Sequence, residues 1–343
     1  MSPAPSRILV VGPAWIGDMV IAHSLFQLIQ AKLGAPLDVL APAWTHPLLS
    51  RMPDVDAAVA APFEHGRLHL RRRFELARSL APRRYARAFV LPNSWKSALV
   101  PFLAGVPKRT GFLGELRFGL INDARRLDAA AMPMMAQRYI ALVQEPGEPP
   151  LPRAEIPAPR LEASPAALQS ALESLDLTLD QPVLALCPGA EYGPAKQWPE
   201  SHFAEVARHY LECGYAVWVM GSEKDLPIVR EVDRLSGGRC RVLAGRTTLL
   251  EAIDLLSAAA LVVSNDSGLM HIAAALNRPL VAVFGSTDPG HTPPLGRRAA
   301  IVRREDLPCS PCFQRKCPLG HLACLRELDA DRVIDASARL LAA

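Results

Sequence analysis

Seven prolines fall between Glu145 and Pro165 (Pro146, Pro149, Pro150, Pro152, Pro157, Pro159 and Pro165), and no other feature of the chain limits its architecture as strongly. Proline neither donates to a ladder nor continues a helix, so this stretch reads as a stiff connection. On each side of it, short apolar or β-branched runs alternate with helix-like stretches. Residues 8–11, 37–40, 57–60 and 88–91 read as strands before it, with helices over about 18–32 and 94–104. Residues 183–187, 217–220, 261–264 and 280–284 read as strands after it, with helices over 199–213, 226–235, 249–258 and 269–276. Such alternation marks parallel sheets covered by helices on both faces. The sequence therefore predicts an α/β protein of two Rossmann-like, doubly wound domains, residues 1–160 and 161–330, facing a cleft. A last helix over 331–343 could return to the first domain.

At 343 residues the chain is long for one core and comfortable for two. Half its residues are hydrophobic and 21% are charged, the balance of a soluble globular protein. No apolar run approaches the ~20 residues of a membrane-spanning helix. Residues 1–6 lead straight into Ile8-Leu9-Val10-Val11 without the longer apolar stretch and cleavage site of a signal peptide, which points to a cytoplasmic protein. Seven cysteines, with Cys187, Cys213 and Cys240 scattered, are not a disulfide framework.

The net charge of +4 is unevenly spread. From His65 to Arg126 there are 14 Lys and Arg against Glu75, Glu115 and Asp123, a local +11. Such an excess suits an anionic partner, or is a solvated basic face. The aromatic residues within it follow no stacking pattern, so a nucleic-acid partner is not expected.

The chemistry-bearing residues sit where predicted strands end. The first strand runs into Gly12-Pro13-Ala14-Trp15-Ile16-Gly17-Asp18. Neither G-x-G-x-x-G nor a P-loop ending is present, and a carboxylate at this helix start would repel a pyrophosphate. Asp18 then reads as a helix cap or as a general base. In the second half, Ser264-Asn265-Asp266-Ser267-Gly268-Leu269-Met270-His271 closes an apolar strand and opens an Ala-rich helix. The backbone N–H groups of such a junction suit phosphate, and Gly268 permits close approach. Asp266 and Ser267 also read as ordinary caps, and His271 as facing either site or core.

A third loop, Cys187-Pro188-Gly189-Ala190 through Lys196-Gln197-Trp198-Pro199, places one Lys either to neutralise a leaving diphosphate or in solvent. Gly221-Ser222-Glu223 offers a carboxylate to sugar hydroxyls or to water, and Leu243-Ala244-Gly245-Arg246 could line a nucleobase or ribose pocket. Cys309, Cys312, Cys317 and Cys324, with His321 among them, could hold a structural zinc, though only one pair is C-x-x-C; reduced thiols are the other reading.

In order and spacing together, Gly17-Asp18, Pro188-Gly189-Ala190 through Trp198-Pro199, Gly221-Ser222-Glu223, Leu243-Ala244-Gly245 and Asn265-Asp266-Ser267-Gly268 through His271 resemble the ADP-heptose:lipopolysaccharide heptosyltransferases. These are inverting enzymes with the two-Rossmann-domain glycosyltransferase B fold, and the match covers nearly the whole chain. Pro92-Asn93-Ser94-Trp95-Lys96-Ser97, Arg109-Thr110-Gly111-Phe112 and the cysteine cluster with Pro318-Leu319-Gly320-His321 look like members that add the second heptose of the inner core.

The resemblance implies transfer of L-glycero-D-manno-heptose from ADP-heptose to heptosyl-Kdo2-lipid A, with Asp18 as general base and Lys196 at the donor diphosphate. It further implies that Glu223 binds the adenosine ribose and Asp266 the heptose hydroxyls. Ser267 and Gly268 would offer N–H groups to the phosphates, and Gly189, Ala190, Gly245 and His271 would complete the donor site. The acceptor would be met by Asn93, Trp95, Lys96, Arg109 and Arg117. No cofactor or obligatory metal is expected, since the site loops hold no Asp-x-Asp pair. An anionic glycolipid acceptor implies peripheral attachment at the cytoplasmic face of the inner membrane. Rival readings are a member acting one step earlier on Kdo2-lipid A, a nucleotide-sugar epimerase on the same fold, and a binding protein without catalysis.

Overall fold

Ile8, Leu9, Val10 and Val11 are all buried, apolar on both faces as a central parallel strand must be. They form β1 (Ile8–Val11) in a computed structural model that describes residues 7–63 and 67–342. His65, where the basic segment begins, and residues 1–6 lie outside the described residues.

The chain divides into two compact bodies after Pro159, Met1–Pro159 and Arg160–Ala343. In the first, β1 is followed by α1 (Ile16–Leu33), β2 (Leu37–Ala41), α2 (His46–Leu49), β3 (Ala57–Ala60), α3 (Leu70–Leu80), β4 (Arg87–Val90), α4 (Trp95–Leu103), β5 (Lys108–Phe112), β6 (Asp123–Arg125) and α5 (Met135–Ile140). The strands pair in the order β3-β2-β1-β4-β5-β6, all parallel. Leu9, Val11, Leu40, Ala88 and Val90 form a core with Ala77, Leu80, Ala98 and Val100 of α3 and α4.

Two ion clusters lock this sheet. Asp38 is fully buried in β2, where it accepts from Arg7 at 3.0 Å, Arg83 at 2.5 Å and Tyr85 at 2.6 Å. Asp123 of β6 accepts from Arg87, Arg125 and the Thr110 hydroxyl. A carboxylate withdrawn from water needs such donors, and they consume cations of the basic segment.

The second body contains α6 (Pro165–Leu175), β7 (Val183–Cys187), α7 (Glu200–Glu212), β8 (Ala216–Val219), α8 (Leu226–Leu235), β9 (Arg241–Val242), α9 (Leu249–Ala258), β10 (Leu261–Asn265), α10 (Gly268–Ala275), β11 (Leu280–Phe284), β12 (Ala299–Arg303), α11 (Ala323–Arg326) and α12 (Ala330–Ala342). Its order, β12-β11-β10-β7-β8-β9, is that of the first sheet repeated. Leu184, Leu186, Trp198, Phe203, Val217, Val263 and Val283 lie in one core. The last helix uses its apolar face here: Val333 and Ala336 of α12 belong to this core, and the helix packs on β10, β11, β12 and α7. The sequence had left it able to return to the first domain. The boundary falls one residue before the expected one.

Strands β5, β6, β9 and β12 and helices α2, α3, α5, α6 and α11 went unread in the sequence. Each of the four strands lies toward a sheet edge, where pairing rather than two-sided burial defines a strand.

Candidate active site

A doubly wound sheet binds ligands outside the carboxyl ends of its strands, where the strand order reverses. In the first body that point lies between β1 and β4. The loops that follow them, residues 12–15 and 91–94, wall a cavity of about 640 Å³. Asp18 lines it from the first turn of α1. The cap position belongs to Trp15, whose side chain makes no cap hydrogen bond, so Asp18 is not the cap. Its charge lies instead toward the positive end of the helix, a favourable place for a carboxylate. Tyr139 of α5 lines the same cavity; burial, with the Asp18 charge adding to it, pushes its phenol well above the usual range.

Positive charge comes to the wall from Arg67, Arg73, Lys96 and Arg138, and neutral polar groups from Asn93, Ser94 and Ser97. Arg73 is buried, its guanidinium 3.9 Å from the Phe63 ring centroid and donating to Leu68 O and Lys96 O. Arg138 donates one N–H to Met132 O at 2.9 Å.

Of the residues expected at the acceptor, Asn93 and Lys96 meet Asp18 on this wall. Arg109 and Arg117 do not. Arg117 is buried, donating to Pro92 O at 2.8 Å, to Asn93 Oδ1 at 3.2 Å and to Phe112 O. Arg109 donates to Leu120 O, Val106 O and Gly119 O. Both hold the loop after β5 in place, because carbonyls turned inward need donors. Trp95 is not on that wall either; its backbone N–H donates to Glu115 Oε2 at 3.0 Å and so holds a residue that is.

In the second body the order reverses between β7 and β10. Asp266, just past β10 and 5% exposed, accepts from Lys196 Nζ at 2.6 Å and from the Thr287 hydroxyl at 2.6 Å. Lys196 also lies 4.8 Å from the centre of the Tyr192 ring. Ser267 holds the cap position of α10 but makes no side-chain cap hydrogen bond. Neither it nor Asp266 is therefore an ordinary cap, and the first-turn N–H groups of α10 are not taken by the Ser267 side chain. Such a turn beside an ammonium suits a diphosphate. Asn265 ties the two loops together, donating to Pro188 O at 2.7 Å and accepting from Trp198 N–H at 3.1 Å.

His271 is a core residue. Burial, partly offset by Asp266, holds its imidazole down to about 4, so it is neutral near pH 7.

Glu223 is exposed in the loop that follows β8, the second strand of this body, the region where Rossmann folds commonly place an acid for ribose hydroxyls. Gly245 turns beside it at φ 70°, and a Cβ there would stand 3.2 Å from Glu223 Cα. Gly189 packs against Asp225, whose carboxylate would lie 2.5 Å from a Cβ at that position.

The four clustered thiols face a pocket of about 20 Å³, together with His321 and Ser286. Backbone amides, Leu322 foremost, lower the Cys317 thiol, while burial and then the Cys312, Cys317 and Cys309 thiols push Cys324 up to about 11. Among the described residues no group of three or more His, Cys, Asp or Glu side chains is arranged to hold a metal ion. The loop also braces the Lys196 loop: Ala195 N–H donates to Arg315 O, Phe313 N–H to Ser286 O, and the Tyr192 hydroxyl to Phe313 O.

Sequence reading missed Thr287, Arg138 and Tyr139. Thr287 follows β11, so a polar residue after a strand was its one available signal. The six-residue α5 is too short to show a period.

Residues 73–323 match glycosyltransferase family 9 (heptosyltransferase). The chain is 47% identical over 306 residues to lipopolysaccharide heptosyltransferase 2 of Escherichia coli, covering 87% of this chain and 88% of that one. It is 42% identical to lipooligosaccharide heptosyltransferase 2 of Haemophilus ducreyi, over 98% of this chain and 99% of the relative. The solved structure of E. coli ADP-heptose lps heptosyltransferase II superposes with a TM-score of 0.87 at 42% identity, covering 98% of each chain. With two Rossmann sheets of like order and this similarity along nearly its whole length, the chain belongs to glycosyltransferase family 9, the heptosyltransferases.

Proposed function

We propose that the chain transfers L-glycero-D-manno-heptose from ADP-heptose to the first heptose of the lipopolysaccharide inner core, with inversion and with Asp18 as the general base. Identity of 42–47% to heptosyltransferases 2 over most of the chain supports the sugar and the step. The observation that carries the mechanism is the placement of Asp18 on the wall of a cavity that also presents Lys96 and Arg138.

The acceptor hydroxyl attacks the anomeric carbon and gives its proton to the Asp18 carboxylate. The bond from that carbon to the diphosphate oxygen breaks, and ADP leaves with the electron pair. Attack opposite the leaving group inverts the anomeric centre. Lys196 and the first turn of α10 stabilise the departing charge, while Glu223 holds the ribose. The reaction so written needs no metal. Basic residues of the first body draw the protein to its phosphorylated, lipid-linked acceptor at the cytoplasmic face of the inner membrane, an association that weakens with salt. No helix among the described residues is long and apolar enough to cross a membrane.

ADP release is the test, measured with a core lipid carrying one heptose and with the heptose-free lipid, for wild type and Asp18→Asn. Release that needs the one-heptose acceptor and is lost in the variant supports the whole reading. Release with the heptose-free lipid alone would move the chain one step earlier.

A further inference from the structure

Leu116 and Phe118 are 86% and 77% exposed, the highest values for large hydrophobic side chains among the described residues. Arg117 between them is 2% exposed. The contrast has a mechanical cause. The Arg117 guanidinium is drawn inward by Phe112 O, Pro92 O and Asn93 Oδ1, and the turn it anchors leaves its two neighbours standing in solvent. The loop is fixed at other points too. Arg117 N–H donates to Glu115 O, Ile121 N–H to Arg117 O, and Glu115 receives the Trp95 N–H. Gly114 sits so close to Asn93 that a Cβ would stand 2.6 Å from its carbonyl oxygen. These two apolar groups are therefore held out in water by the fold itself.

Two further observations say what covers them. Glu115, their neighbour in sequence, lines the cavity that holds Asp18, so the pair stands beside the proposed acceptor site. Leu113, also exposed, is hydrogen-bonded through its N–H to Arg125 O, next to the exposed Arg126. Exposed apolar side chains with the exposed Arg126 beside their loop, in a segment that also exposes Arg71, Arg72, Arg78, Arg84 and Lys108, match the interface of an anionic bilayer. We propose that Leu116 and Phe118 form a wedge that enters the membrane interface and holds the cavity over its lipid-linked acceptor. The proposal rests on the acceptor reading given above.

The test uses the full chain and vesicles of phosphatidylethanolamine with phosphatidylglycerol. Leu116→Ser combined with Phe118→Ser is expected to melt with the wild type and to sediment with vesicles about tenfold less well. Phe118→Trp is expected to shift its emission to the blue on vesicles and to be quenched by brominated acyl chains. Transfer to a delipidated, one-heptose core oligosaccharide is expected to be equal in wild type and double variant, while transfer to vesicle-embedded acceptor falls in the variant.

Equal vesicle binding by wild type and double variant, or Phe118→Trp emission that brominated chains leave unquenched, would overturn the wedge. So would self-association of the wild type that the variant loses without any change on vesicles, which would assign the patch to a second copy. Failure of the wild type to use the delipidated acceptor would instead defeat the acceptor reading, whatever the vesicles showed.

Discussion

Lys196 Nζ lies 2.6 Å from Asp266 Oδ2, and the Thr287 hydroxyl donates to that same oxygen. The two charged side chains are 13% and 4% exposed, so removing one strands the other away from water. Lys196→Ala is expected to cost about 3–5 kcal/mol of stability in addition to donor turnover. Adding Asp266→Asn should restore much of the stability and none of the activity. Thermal unfolding alongside ADP release separates the two effects; a Lys196→Ala protein that melts with the wild type would rule out the stabilising pair.

Asp18 lies in the first turn of α1 without serving as its cap. Asp18→Asn is expected to lower kcat by ~10²–10⁴-fold, the usual worth of a positioned base. Stability should fall by no more than about 2 kcal/mol, the charge–dipole contribution at a partly buried helix start. Single-turnover kinetics with saturating donor, together with ADP affinity, would show whether the loss lies in chemistry.

His271 predicts a pH dependence. Burial holds its imidazole down to about 4 from an ordinary value of 6.5. Between these values the unfolded chain binds a proton that the folded chain refuses. This contribution is whole above about pH 6.5 and is lost as pH falls toward 4, by up to about 1.4 kcal/mol per pH unit. His271→Gln removes it, so the variant's stability should fall less steeply than the wild type's through this window. Parallel urea-unfolding curves across it would show that His271 already takes up its proton in the folded state.

Arg117 and Lys96 should separate framework from binding. Arg117→Leu takes the guanidinium away from Phe112 O and Asn93 Oδ1 and leaves Pro92 O with the Ser97 hydroxyl, at a cost of about 1–3 kcal/mol for a buried group left unsatisfied. Lys96→Ala should leave the melting temperature within about a degree or two and raise KM for the acceptor several-fold. The reverse pattern, with Lys96 governing stability and Arg117 governing KM, would return Arg117 to the acceptor site.

The contrast between these two cations shows where the sequence was legible. Strands β1, β7, β10 and β11 are buried on both faces, and continuous apolar runs announced them. The loops after them stood out through Gly, Pro and small polar residues, which is why Asp18, Lys196 and Asp266 were in view. Strand β5 begins Lys-Arg-Thr-Gly and β6 is Asp-Ala-Arg, with no apolar run to mark them. Nor does sequence distinguish a guanidinium in water from one spent on carbonyls. The +11 segment therefore overstated the surface charge: Arg73 and Arg117 are buried on backbone oxygens, Arg87 and Arg125 turn to Asp123, and Arg83 turns to Asp38.

The strand order β3-β2-β1-β4-β5-β6, repeated as β9-β8-β7-β10-β11-β12, bears on how such chains change over generations. Each body completes its own sheet and fills its own core. On the function proposed above, a lineage can refit its first half to a different acceptor while its second half goes on using the same sugar nucleotide.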